Sequence, residues 1–564
     1  MFLFDKKRKK ETQKVANLFK SKYAYFKALL DSNSELLTLV ADMEVKLVGE
    51  TAFGMSYLRS LVTRIAFHAA RMVKSINKMS NDRYTILGKI FENLIIRINL
   101  LVEPEKSRSE APLILFYGDI TRSLADIVGG KNANLGEILQ ISGMSIPRGF
   151  AITTAGYEAF VASNNLLPEI KKARLALDPD DFSSFVTVGS KIESLFRAGK
   201  VPVEVEAAIR EACRTVVSQC GKPVTWALRS SAIGEDGDLS FAGQYRTVLN
   251  VSSNNVFEEY KEVLAGLCTP SALSYRLNMG VPFEDFAMSV ACLEMISARA
   301  SGVVYSRNPI DPKDDRVIIN GVWGLGLPVV DGKMTPDIFR LSRRNRHDPV
   351  ETEITRKEVR LTSDGAGSLV ESPVMREAQT MPCLSAEQAR SLASYALTLE
   401  EHFGRPQDVE WVVDEEGRIV LLQTRPLRVV DMSTGMRTTL PLISGYPLLL
   451  QGGEIAFPGV GSGKVFHVKS DQDLTAFPDD AVLVAEHSSP KYGMVLRKAK
   501  AVVTNLGSNT GHMAALVREF KVPCLLNTGD ATRKLISGQL VTVDSISRRV
   551  YQGEVKELGA FVPK

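Results

Sequence analysis

Six histidines occur in the chain, and one of them, His512, sits in "GSNTGHMAALVREFKVP", residues 507–523, where a small polar run becomes abruptly amphipathic. Asn509 and Thr510 are good N-cap residues, and Met513, Leu516, Val517 and Phe520 then fall on one face of a helix. His512 would occupy the first turn, where unpaired backbone N–H groups and the helix dipole favour negative charge. Imidazole is mostly neutral near pH 7 and can attack as a nucleophile without prior activation. A phosphoryl group carried on His512 would be held by that field and by the Thr510 hydroxyl. The plain alternative is a histidine that packs or caps.

A phosphorylated histidine needs a donor, and three stretches upstream have the right chemistry. In "VGGKNANLGEI" Lys131 follows a glycine pair and precedes an amphipathic helix, a placement suited to touching phosphate. In "WALRSSAIGEDGDLSFAGQYRTVLNV" Arg229 ends an apolar strand, and the loop carrying Gly234, Gly237 and Gly243 can bring backbone N–H groups close to a polyphosphate. Taken singly, each is matched by a plain reading, an ordinary turn or an exposed arginine on a hairpin.

The third stretch, "QDVEWVVDEEGRIVLLQTRP", is two alternating strands around a turn signal. A two- or four-residue loop centred between Glu416 and Gly417 places Glu410 opposite Gln423, with Arg425 on the same face. A three-residue loop shifts the register and breaks that convergence. One carboxylate, one amide oxygen and one guanidinium aimed at a shared spot suit Mg²⁺ bridging nucleotide phosphates, because Mg²⁺ takes few protein oxygens and fills its shell with phosphate and water. An exposed polar hairpin is the competing reading.

These residues need elements to position them. At 564 residues the chain is too long for one core, so two to four domains are expected. A 45% hydrophobic, 24% charged composition with net charge +4 describes an ordinary globular protein and gives no reason to invoke nucleic acid. The "KKRKK" run at 6–10 reads as a solvated tail. Cys213, Cys220, Cys268, Cys292, Cys383 and Cys524 lack metal-ligand spacing and look like reduced thiols. No apolar run is long enough to span a membrane and the N-terminus lacks a signal-peptide pattern, so a cytoplasmic location is expected.

The first hundred residues read as helices. Ser32 and Glu35 form a capping-box pattern, and stripes recur at Leu36, Val40, Met43 and Leu47, then at Leu58, Val62, Ile65, Ala69, Met72 and Ile76, then at Leu87, Ile90, Leu94, Ile98 and Leu101. His68 on the second helix suggests packing or surface, not catalysis. Short strands and Gly-rich loops follow Pro112, and strand candidates "GVGSGKVFHV", "AVLVAEH", "KAVVTNLG" and "GQLVTVDSISRRVYQG" surround the His512 segment. The fold class expected is multidomain α/β: a helical bundle over 1–111, a nucleotide-binding domain over 112–428, a linker over 429–455 and a small β/α histidine domain over 456–564.

"VVTNLGSNTGHMAALVREFKVPCL" resembles the phosphohistidine signature of the phosphoenolpyruvate-utilising enzymes, the family of phosphoenolpyruvate synthase and pyruvate phosphate dikinase. Thr510, His512, Arg518, Glu519 and Pro523 match it, whereas Gly511 and Met513 depart from the usual Ser or Cys and Ala. "GGKNANLGEI", "ALRSSAIGED", "SFAGQYRTVLNV", "SGVVYSRNP", "GVWGLGLPVVDGKMTPDIF" and "DVEW…QTRP" resemble, in order, the ATP-grasp half of that family, so the likeness runs from about Ile120 to the C-terminus. It implies that Lys131, Arg229, Glu410, Gln423 and Arg425 bind ATP with Mg²⁺ on Glu410 and Gln423, that Gly243 lies in the loop over the phosphates, and that a swivelling domain carries His512. It further implies a dikinase-type phosphotransferase that forms AMP, places the β-phosphoryl group on His512 and passes it to an acceptor. No counterpart of the family's pyruvate-binding barrel is expected in this chain, so the acceptor is expected to be a small molecule, pyruvate among the candidates, or to be bound by a separate protein. The competing class is a regulatory ATP sensor acting through a partner.

Overall fold

A computed structural model describes residues 19, 22–41, 43–44, 55–102, 111–174, 177, 182–233, 245–278, 287–311, 313–330, 334–345, 348–364, 368–427, 429, 443, 445–509 and 511–561. The basic run at 6–10 lies outside them. Two compact units form: Met1–Ser107 with Arg276–Asp285, and Arg108–Tyr275 with Phe286–Lys564.

The first unit is helical over 22–41, Met55–Met79 and Ile86–Val102. Ser32 does not cap a helix. It is buried in the interior of the first one, because the preceding residues 22–31 contain no Gly or Pro and continue the helix upstream. In the second helix the most buried positions are Leu61, His68 and Ser75, seven apart and one position off part of the expected stripe. His68 is thus a packing residue. The third helix is apolar around most of its circumference, so periodicity cannot select a face. Ile90, Leu94 and Leu101, expected inside, are exposed, while Leu87, Phe91, Ile95 and Ile98 are the more covered line.

The second unit is built on three main sheets. The first joins β1 (Ile114–Phe116), β2 (Gly149–Ile152), β3 (Trp226–Ala232), β4 (Thr247–Val251) and β5 (Met288–Glu294) in the order β1-β2-β5-β3-β4, all antiparallel. The second draws on β6 (Ala298–Tyr305), β7 (Arg316–Trp323), β8 (Asp337–Ser342) and β9 (Glu351–Glu353). A separate hairpin, β10 (Val359–Ser363) with β11 (Leu369–Pro373), precedes its last two strands, β12 (Gln407–Asp414) and β13 (Ile419–Pro426). The order is β13-β12-β6-β7-β8-β9.

One hydrophobic core runs through both sheets, with Ile138 from the helix Ala125–Ile138 and Leu392, Ala396 and Leu399 from the helix Ala386–Phe403. The latter helix starts at a Ser385–Gln388 capping box and stops at Gly404, whose φ of 68° suits a residue without Cβ.

Beneath this core Lys357 and Asp337 form a fully buried ion pair, Nζ to Oδ1 at 2.6 Å. The remaining polar groups are matched: Lys357 Nζ also donates to the Thr355 carbonyl, and Asp337 accepts from the backbone N–H groups of Thr355 and Cys383. Such a pair costs most when one partner is removed, since the other is left charged in a low dielectric. Lys357→Ala should therefore destabilise this domain by about 3–5 kcal/mol, read as a fall in its urea midpoint. The paired Lys357→Met, Asp337→Leu change should recover most of that loss, and a shared loss in both variants would contradict this account.

The third sheet contains β14 (Leu448–Gln451), β15 (Glu454–Phe457), β16 (Val460–His467), β17 (Ala481–Ala485), β18 (Ala499–Thr504), β19 (Cys524–Leu526), β20 (Leu540–Asp544) and β21 (Arg549–Gln552). Its order is β14-β21-β20-β16-β17-β18-β19-β15, and β16 to β19 pair in parallel. The four strand candidates around His512 all lie in this sheet. The segment read as a linker to residue 455 contributes β14 and the start of β15, so regular structure begins inside it. None of the six cysteines is in a disulfide, and four of them are buried. Among the described residues no helix is long and apolar enough to cross a membrane.

Candidate active site

The hairpin β12–β13 reaches the expected pairing by an unexpected route. Asp414 N–H donates to the Arg418 carbonyl and Gly417 N–H to the Asp414 carbonyl, so the chain turns on the three residues 415–417, with Gly417 at φ 85°. That is the loop length that should have spoiled the register. Near the turn the pairs are Trp411 with Leu421 and Val412 with Val420, but between Trp411 and Glu410 the register shifts and Glu410 faces Gln423. A β-bulge at Leu422 takes up the odd residue. Arg425 faces Asp408 two residues along, on the same side.

Arg229 enters this face from β3 of the other sheet. Its Nη1 donates to the Leu422 carbonyl at 3.0 Å, and its Nη2 donates to Glu410 Oε2 at 2.6 Å and Gln423 Oε1 at 2.9 Å. Arg425 donates from Nε to Asp408 Oδ2 at 2.8 Å, with Nη2 also 2.8 Å from that oxygen. Burial alone would raise the Glu410 carboxyl, but the guanidiniums of Arg229 and Arg425 outweigh it and hold its pKa down to about 2. Glu410 is an anion at neutral pH.

Lys131 is set by a kink. The helix Ala125–Ile138 breaks at Gly129, with φ 75° and ψ 161°, and a Cβ there would lie 2.3 Å from the Ser231 carbonyl oxygen. The next residue after the kink pair, Lys131, starts the continuing helix. Asn132 locks that start: its N–H donates to Ser231 Oγ, its amide donates to Ser289 Oγ, and its carbonyl oxygen accepts from Tyr117 Oη at 2.7 Å.

The helix carrying the histidine is His512–Phe520, with Gly511 at the N-cap and no side-chain cap bond. It begins later than Asn509 or Thr510 predicted, and Arg518 reaches back to the loop before it: its Nη1 donates to the Asn509 carbonyl at 2.9 Å. Thr510 lies outside the described residues, as do Gly234, Gly237 and Gly243. Met513, Leu516 and Val517 are buried as expected.

Lys131, Arg229, Glu410, Gln423, Arg425 and His512 all line one cavity of about 390 Å³. His512 is half-buried there, and its Nδ1 is buried with no hydrogen-bond partner among the described residues. Burial, then the charges of Arg425, Lys131 and Arg229, push the imidazole down to about 3 against the opposing pull of Glu410. The ring is therefore a neutral base surrounded by three cations, a setting that favours attack on a polyanion.

Glu410 Oε2 and Gln423 Oε1 converge on one nitrogen, so two hard oxygens already share a cation position. This fits Mg²⁺, which asks for few protein ligands. Among the described residues no group of three or more His, Cys, Asp or Glu side chains could hold a metal, so the remaining ligands of such an ion would be phosphate and water.

The rest of the cavity was not foreseen. Leu249, Leu293, Met295, Ile296 and Leu325 give it an apolar lining, and Pro490 joins from the same sheet domain as His512. These residues belong to near-continuous apolar strands or to the turns after them, and nothing in such a run distinguishes a cavity-facing Leu from a core Leu.

Residues 125–440 match the family described as pyruvate phosphate dikinase, AMP/ATP-binding domain. The chain belongs to the phosphoenolpyruvate synthase and pyruvate phosphate dikinase family. Residues 477–548 match a second description within that family, the mobile domain of the PEP-utilising enzymes, and contain the His512 helix. Phosphoenolpyruvate synthase of Aeropyrum pernix is 33% identical over 495 residues, covering 79% of this chain and 59% of its own length. The Escherichia coli enzyme of the same name is 33% identical over 454 residues, covering 78% and 57%, and that of Neisseria meningitidis is 32% identical over 448, covering 76% and 56%. The chain spans less than two thirds of the length of these family members.

Proposed function

We propose that this chain is an ATP-dependent, dikinase-type phosphotransferase whose His512 takes the β-phosphoryl group of ATP and hands it to an acceptor. The observation that carries the reading is the cavity itself: a neutral imidazole shares it with Lys131, Arg229 and Arg425 and with the Glu410–Gln423 carboxylate–amide pair. Both of the family's domain types match this chain, the nucleotide-binding one over residues 125–440 and the mobile one over 477–548.

In this reading the apolar lining takes the adenine, and Lys131, Arg229 and Arg425 neutralise the phosphates. Phosphoryl transfer needs mainly positioning and charge balance. A bond forms between an imidazole nitrogen and the β-phosphorus as the bond to the AMP oxygen breaks, leaving a pyrophosphoryl group on the ring; water then cleaves the bond to the terminal phosphate, which leaves as inorganic phosphate. Mg²⁺, held by Glu410 and Gln423, would supply further neutralisation of phosphate charge. The histidine domain would then carry the group away, either to a small molecule such as pyruvate or to an acceptor bound by a partner protein.

Incubation with β-³²P-ATP and Mg²⁺ should give one AMP per labelled chain, with the label acid-labile and base-stable. Gln423→Ala should slow labelling at limiting Mg²⁺ by about tenfold or more and recover partly at high Mg²⁺, the behaviour of a lost neutral metal ligand. Labelling of that variant at the wild-type rate across the Mg²⁺ range would remove Gln423 from the metal site.

A further inference from the structure

The helix that opens with His512 closes with three residues, Arg518, Glu519 and Phe520, that all reach across to the nucleotide-binding domain. Glu519 Oε1 accepts from Tyr275 Oη at 2.5 Å. The Phe520 ring meets the Tyr275 ring edge-on, centroids 6.4 Å apart, and Arg497 lies over its other side. Arg518 goes deepest. The residue is 9% exposed, it lies beside the Tyr305 hydroxyl at the end of β6, and its charge faces the buried carboxylate of Asp408 on β12. Asp408 is the residue that holds Arg425.

From this arrangement we infer that Arg518 is a positioning residue that latches the histidine domain onto the nucleotide cleft and, through Asp408, sets how far the charge of Arg425 is available to the cavity. The inference rests on the phosphotransfer reading above. With the histidine domain seated, Asp408 is shared by two guanidiniums, one resident and one visiting. A carboxylate attracted by both holds each less tightly, so Arg425 has more of its charge to offer a polyphosphate. When the domain leaves, Arg518 returns to water and Asp408 draws on Arg425 alone. The same guanidinium fixes the loop before His512 through the Asn509 carbonyl, so seating the domain and aiming the ring depend on one side chain. A lysine could carry the charge but not the fork that serves loop and cleft together.

The test uses the full chain. Cys213 and Cys220, the two that are not buried, are changed to Ser, Tyr275→Cys and Phe520→Cys are introduced, and a short bismaleimide traps the seated state. In this background Arg518→Gln should slow trapping about tenfold, and Arg518→Lys should recover only a minor part of the loss. In the chain without introduced cysteines, Arg518→Gln should lower the maximal rate of His512 labelling about a hundredfold. It should raise the Kd for a fluorescent ATP analogue by no more than about threefold, because Lys131, Arg229 and Arg425 all stay in the cleft and only the availability of Arg425 is reduced. Tyr305→Phe removes one hydroxyl from the opposite side and should slow trapping severalfold, guarding against a misfolded Arg518 variant. Trapping of Arg518→Gln at the parent rate, or a loss of nucleotide affinity as large as the loss of labelling rate, would overturn the latch. If the chain with the two introduced cysteines traps normally but the wild type never labels, the latch stands and the phosphotransfer reading fails.

Discussion

His512→Ala should leave the chain unlabelled by β-³²P-ATP, with the rate down at least about a thousandfold, to the limit of detection. Nucleotide binding in the same variant should change by no more than a few-fold, because the ring meets the ligand from a separate sheet and the cleft's own charges remain. The pH profile separates a nucleophile from a bystander. In the seated state the ring has a pKa of about 3, whereas a solvated imidazole titrates near 6.5. The released domain therefore binds a proton that the seated domain does not. Seating is fully favoured above about pH 6.5 and is lost progressively as the pH falls below that value. Labelling should accordingly decline toward acid through the population of seated chains, with the rate of a chain already trapped in the seated state staying flat down to about pH 5. A trapped chain that still lost activity with an apparent pKa near 6.5 would mean that the ring is wet in the cleft, and the cause assigned to its depressed pKa would be wrong.

Much of this site was legible because its residues sit on short-range patterns. The Asn-Thr-Gly-His run before an amphipathic stretch announced a helix start one or two residues early, and the bond from Arg518 back to the Asn509 carbonyl, nine residues away, is a contact that no local rule contains. Alternation put Glu410, Gln423 and Arg425 on one face. The turn length argued against their meeting, and only the bulge at Leu422 reconciled the two. Lys131 was singled out for following two glycines, yet the reason for the glycine is tertiary: the kink at Gly129 lets the backbone of Ser231 approach.

Where the sequence reading failed, the pattern was degenerate. The third N-terminal helix offers Ile, Leu or Phe on most of its surface, so the inward line Leu87, Phe91, Ile95 was as good a candidate as the one chosen. The apolar cavity lining failed for the same reason. A strand such as Met288–Glu294, buried almost throughout, reports that it is covered and not by what.

Arg229→Ala carries the other large effect, and it acts in two directions. In the protein as it stands, Arg229 Nη2 occupies the point on which Glu410 Oε2 and Gln423 Oε1 converge, so the guanidinium stands in for a metal cation. Arrival of a nucleotide with Mg²⁺ must move it off those oxygens and onto phosphate. Removing the guanidinium deletes a phosphate contact, and labelling should fall about a hundred- to a thousandfold. It also deletes the competitor for the two oxygens, so binding of Mn²⁺ without nucleotide, followed by its electron paramagnetic resonance signal, should become tighter. The Glu410 carboxyl loses the first of the charges that hold it near 2, while burial still pushes it upward. The acid limb of metal binding in the variant should therefore move to higher pH. Arg229→Lys should restore less than about a tenth of the labelling rate, since one ammonium cannot serve the Leu422 carbonyl and the Glu410–Gln423 pair as the two guanidinium nitrogens do. Adding Glu410→Gln to Arg229→Ala should cost much less than it does in the parent, because the two groups act on each other before they act on the ligand. Independent, additive losses in that double variant, or metal binding that weakens when Arg229 is removed, would show that the arginine supports the metal oxygens instead of competing for them.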